Sequence, residues 1–148
     1  HGTRGFFQDQ LLLLIRYAAH HARLDKPEKD GSTPRKALEG IVRRGDDEPA
    51  WRARPGYARA LRELDGPTFP DALAYLYQWS LELYGRSGTA FEGVAPLSFA
   101  TLWYWAAFTQ QWPTTDEVAA LFRLDVVLRH PPDDRELCKQ LGISPDHD

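Results

Sequence analysis

Prolines and glycines cut the 148-residue chain into runs of about 10 to 20 residues, and within each run apolar residues recur three and four apart. No stretch alternates apolar and polar residues as a half-buried strand does. This punctuation predicts an all-α fold: a single-domain helical bundle of about five to seven helices with short connecting loops. A chain of this length can bury about two-thirds of its unfolded surface, so folding requires neither metal nor disulfide. Its one cysteine, Cys138, excludes an internal disulfide framework and any multi-cysteine metal centre.

The runs can be placed in order. Residues 5–24 (GFFQDQLLLLIRYAAHHARL) read as the first helix. Thr33 as N-cap and Pro34 at the first helical position open a second helix over 34–44, which Gly45 should stop. Residues 46–56 read as a linker, and 56–64 as one or two helical turns. The turn DGPTFP leads into a helix over 70–84 with Leu73, Leu76, Trp79 and Leu83 on one side. Residues 85–96 form a Gly-rich loop, and Ser98 caps a helix over 98–111. The Trp112-Pro113 step ends it. Thr114 and Glu117 match a capping box for a helix over 115–129. A last short helix, 133–141, closes at Gly142. Two regions result: 1–66, helical with polar loops and packing on the core, and 67–148, an aromatic-rich helical core with a short C-terminal helix. Leu76, Trp79, Leu83, Leu102, Leu121 and Phe122 are the expected buried residues. Asp125, isolated in LFRLDVVL, should accept a hydrogen bond from a tryptophan indole or an arginine of a neighbouring helix.

Charge and motifs narrow the function classes. Net charge is −3, with +3 over residues 1–67 and −6 over residues 68–148. The acidic balance argues against a nucleic-acid footprint, which is strongly basic. A small DNA-binding regulator would have to use Arg35, Lys36, Arg43, Arg44, Arg52, Arg54, Arg59 and Arg62. The helix-turn-helix-like strings in 114–148 carry 4 Lys+Arg against 8 Asp+Glu, which repel phosphate. His20 and His21 are adjacent and point about 100° apart on a helix, so they cannot share a metal ion. No phosphate-binding loop, nucleophile elbow or paired acid–base motif is present. The longest apolar run, Leu11–Ile15, is far below the ~20 residues of a membrane span, and residues 1–10 lack a signal-peptide pattern. The chain therefore reads as a non-enzyme with no cofactor, no metal and no membrane partner.

Aromatic residues are concentrated: 13 of the 18 fall between Phe69 and Phe122. In FATLWYWAAFTQQW, Trp103 and Trp105 point to different faces, Leu102 and Ala106 share a face near Phe99, and Trp105, Phe108 and Trp112 make a second stripe. Either both stripes are core or one is a partner site, since Trp and Tyr supply much of the energy of interfaces. The partner face expected here is Trp105, Phe108 and Trp112, with Tyr77 and Leu81 beside them. The competing arrangement has these rings closing a second core layer against helix 5–24.

The same region resembles a known family. The pieces YLYQWSLEL (75–83), GRSG (85–88), PLSF (96–99), WAAFT (105–109), DEV (116–118) and LD (124–125) are similar to the small tail assembly chaperones of long-tailed bacteriophages. The likeness covers about residues 67–130. It implies a largely helical, non-enzymatic protein of the host cytoplasm. Its partner would be a long helical client, such as the tape measure protein or another tail protein. Self-association into a homo-oligomer is compatible with this role. The alternatives are a structural virion or head–tail component, and a small helical DNA-binding regulator.

Overall fold

A computed structural model describes residues 5–86, 89–90 and 93–144. Among these residues the chain is an all-α bundle of seven helices: α1 (Phe6–Leu24), α2 (Pro34–Asp47), α3 (Pro55–Asp65), α4 (Ala74–Arg86), α5 (Phe99–Thr109), α6 (Thr115–Arg129) and α7 (Asp134–Leu141). Single 3₁₀ turns precede α3 (Pro49–Ala53) and α4 (Asp71–Leu73). No described helix is long and apolar enough to cross a membrane.

The core forms where the apolar stripes meet. Leu11, Leu14, Ile15, Ala18 and Ala19 of α1 are buried at helical spacing. They meet Ala120, Leu121, Leu124 and Val127 of α6, together with Leu73, Leu76 and Leu83 around α4. The first helix is thus the spine of the core cluster. Helix α7 closes it with Leu137, and the guanidinium of Arg16 forks onto Asp134 at 3.0 and 2.9 Å. That pairing, more than the burial opposing it, holds the Asp134 carboxyl below its ordinary range. Leu76, Leu83, Leu102 and Leu121 are buried as expected. Trp79 and Phe122 are only partly buried, because each packs at the rim. Trp79 lies between Tyr75 and Trp105, and Phe122 lies against the exposed Phe99.

Local signals account for the helix ends. The hydroxyls of Thr33, Ser98 and Thr114 accept the backbone N–H three residues on, and Thr114 with Glu117 completes the capping box. Gly142, at φ 70°, ends α7. The expected linker over 46–56 is instead nearly all helical. Helix α2 runs through Gly45 to Asp47, and α3 begins at Pro55. The cause is tertiary: Gly45 is buried beneath Tyr57, whose ring would lie 2.5 Å from any Cβ there. Arg52 Nε donates to the Gly45 carbonyl at 2.7 Å, and Trp51 Nε1 donates to that of Ile41 at 2.9 Å. Helices α2 and α3 thereby close into a hairpin arm. Its base is tied to α1 by Arg35, which donates to Asp25 at 2.6 Å, and by His20 Nε2, which donates to the Glu63 carbonyl at 2.6 Å.

The expected Gly-rich loop contains a small antiparallel ladder, β1 (Thr89–Ala90) with β2 (Gly93–Val94), Thr89 opposite Val94. Two residues a side are too few to leave an alternation in a sequence.

Candidate functional site

Helix α5 lies on the outside of the bundle, held by α4 and by the loop before it. Its sequence, FATLWYWAAFT, contains no charged residue. The buried residues are Leu102, Trp105 and Ala106. At about 100° per residue these occupy one side of the helix. The other side is left to Phe99 (73% exposed), Trp103 (62%), Tyr104 (72%) and Phe108 (80%). Trp112, 55% exposed, joins them from beyond the helix end.

Trp105 is therefore misplaced in the expected partner face. It is 3% exposed, its ring meets Trp79 edge-on at 5.5 Å, and its Nε1 donates to Glu82 Oε1 at 3.3 Å. Seen down the axis it stands midway between Leu102 and Phe108, and its burial, like that of Leu102, places it on the inner side. The proposed stripe also assumed a helix continuing to residue 111. Instead α5 stops at Thr109, because Gln110 takes the left-handed conformation (φ 58°, ψ 33°) and its side chain donates to the Ala107 carbonyl at 2.7 Å. That turn carries Trp112 back over Trp103, ring centroids 5.4 Å apart.

The five expected site residues do not form one surface. Trp112 helps to close an apolar slot of about 330 Å³ with Phe99, Trp103 and Val118. Phe108 flanks a second, wider groove on the far side of α5, with Tyr104, Thr101 and Arg86, and the edge of Trp105 reaches its floor, so these two expected residues do share a groove. Tyr77 and Leu81 line a separate concavity between α1, α4 and the end of α6. Tyr77 is half-buried in a ring cluster with Tyr17 and Phe69, at 5.6 and 5.8 Å, while Leu81 is 39% exposed. The residues missed were Phe99, Trp103 and Tyr104. The signal for them was present: an uncharged helix lined with rings cannot bury every side when it packs at the edge of a bundle.

Five exposed rings, at about 150–250 Å² each when whole, present on the order of 700 Å² of aromatic surface. The largest apolar patch of an ordinary monomer is about 300–600 Å². One buried polar contact anchors the chain that enters α5. Asp125 accepts from the Leu97 backbone N–H at 3.0 Å, fixing the chain just before the helix, and from Arg129 Nε at 2.9 Å. The arginine lies one turn along the same helix, not on a neighbouring one, and the Trp105 indole donates to Glu82 instead. Beside the slot, the Tyr75 hydroxyl of α4 donates to Glu117 Oε2 at 2.5 Å, while Glu117 Oε1 accepts the Thr114 N–H at 2.8 Å. Burial and this carboxylate push the Tyr75 hydroxyl up to about 12. Burial opposes ionisation of Glu117, but the hydroxyl and backbone donors outweigh it and hold the carboxyl below its ordinary range.

Among the described residues no group of three or more His, Cys, Asp or Glu is placed to hold a metal ion. Comparison of the chain with models of protein families, with curated proteins and with solved structures finds no match.

Proposed function

We propose that the chain is a non-enzymatic assembly chaperone of the phage-tail kind, which presents the aromatic face of α5 to a long helical client such as a tape measure protein in the host cytoplasm. The observation that carries this reading is the face itself: an uncharged helix with four exposed rings, extended by Trp112, on a bundle whose core is already filled. Phe99 and Trp103 form one ridge and Tyr104 and Phe108 another. Such ridges suit the apolar stripe of an amphipathic helix, which docks through anchors spaced three and four apart. The residues resembling tail assembly chaperones, about 67–130, span α4, α5 and α6, the elements that build and support this face. A long client offers many repeats of one stripe, so modest affinity per copy would coat it through the number of copies and still allow release.

The test is binding of the purified chain to a helical tape-measure segment with a continuous apolar stripe. Trp103→Ala and Phe108→Ala should each weaken binding about tenfold or more while the circular dichroism spectrum is unchanged. Undiminished binding by both folded variants would overturn this reading. Recovery of the chain as a stoichiometric part of mature particles would favour a structural virion component instead.

A further inference from the structure

The exposed half of α5 reads almost the same in both directions. From Phe99 to Phe108 the sequence is FATLWYWAAF, with phenylalanine at each end, alanine next to each, and the aromatic pair Trp103-Tyr104 at the centre. Three of the five pairs equidistant from the midpoint between Trp103 and Tyr104 also share their burial, while Thr101 is half-buried and its counterpart Ala106 buried. Phe99 and Phe108 are exposed, as are Trp103 and Tyr104, whereas Leu102 and Trp105 are buried. Ala100 is exposed and Ala107 half-buried, and both lie along the middle of the outer face at seven-residue spacing. The outer surface is thus a shallow trough floored by two alanines. The Phe99–Trp103 ridge stands on one side and the Tyr104–Phe108 ridge on the other.

We infer that α5 of a second copy of this chain covers this face, antiparallel to the first, about a two-fold axis passing between Trp103 and Tyr104. A two-fold interface requires a patch that is complementary to itself. In this arrangement Ala100 stands level with Ala107 of the second copy, so the backbones approach closely where neither carries a large side chain. Phe99 stands level with Phe108 of the second copy on the opposite side of the trough, and on each side the two copies' ridges meet end to end at the axis, Trp103 against its own copy and Tyr104 against its own. No charge on α5 meets its own copy, because the helix has none. The area fits: about 700 Å² of exposed ring surface per copy, against roughly 800 Å² per partner in a standard stable interface.

The inference rests on the same face as the client reading, so a second copy and a client helix exclude one another there and the dimer must open before a client docks; the measurement uses the full chain alone. Sedimentation velocity should show a dimer that dissociates on dilution. Phe99→Glu combined with Phe108→Glu should weaken it by about a hundredfold or more, with helical content retained. The register has its own test in nearly unaltered protein. Ala100→Cys mixed with Ala107→Cys should cross-link between copies on mild oxidation, while Ala100→Cys alone should not; the native Cys138 is buried. A monomer at every concentration up to the limit of solubility would overturn the proposal. So would a dimer unaffected by the two glutamates, or efficient cross-linking of Ala100→Cys with itself, which marks a parallel pair. A dimer that fails to bind the helical segment, or a monomer that binds it, separates failure of one reading from failure of the other.

Discussion

Trp105 and Phe108 stand three residues apart on one helix and have opposite roles. Trp105 fills the space between α4 and α5, and its indole N–H has Glu82 for a partner. Trp105→Ala should cost about 3–5 kcal/mol, the transfer of the ring plus the cavity left behind. Phe108, 80% exposed, should cost less than about 0.5 kcal/mol as Phe108→Ala. Denaturant unfolding of the two variants checks the contrast, and equal losses would mean that the inner and outer sides of α5 are exchanged. The difference was only half legible in the sequence. Periodicity separates Trp103 from Trp105, but it does not say which neighbour each side of the helix will meet. Moreover, the turn at Gln110 that brings Trp112 back depends on a backbone conformation that a residue other than Gly or Asn does not advertise. The cap at Thr114, by contrast, lies within four consecutive residues and was fully readable.

At the level of elements, α4 and α6 are stapled by the hydrogen bond from Tyr75 to Glu117. The Tyr75 hydroxyl must be protonated to donate to Glu117, and its folded value of about 12 lies above the ordinary 10 of tyrosine. A group with a raised value contributes stability that is full below its unfolded value and is lost as pH rises through the folded one. The contribution of this staple should accordingly be constant up to about pH 10 and disappear towards about pH 12. Denaturant midpoints followed across that window should fall more steeply for the natural chain than for Tyr75→Phe. Parallel curves would show that the hydroxyl does not link the two helices. The arm of α2 and α3 shows the opposite limit of sequence reading. Gly45 carries the ordinary signature of a helix stop, and only the Tyr57 ring packed on it explains why the helix continues. A contact between residues twelve apart in different helices leaves no local mark.

On the scale of the whole molecule, the chain is a bundle built on α1 and α6 with two appendages of different character. One is the arm, whose arginines and carboxylates face water and where Arg44 lies 3.8 Å over the Trp51 ring. The other is α5, which has no charge at all. The charge division of the sequence anticipated two unlike halves, yet the core unites them, since α1 belongs to the basic half and α6 to the acidic one. This plan distributes the five tryptophans over three settings: Trp51 under a guanidinium in the arm, the half-buried Trp79 edge-to-face with the buried Trp105, and Trp103 with Trp112 in water at the outer helix and the turn after it. The molecule therefore carries its own optical gauge. Whatever covers α5 dehydrates only the last pair, so emission should shift to the blue and lose part of its acrylamide quenching. The same titration repeated with Trp103→Phe and Trp112→Phe should be silent, leaving the light of the arm and the interior as an unchanged reference.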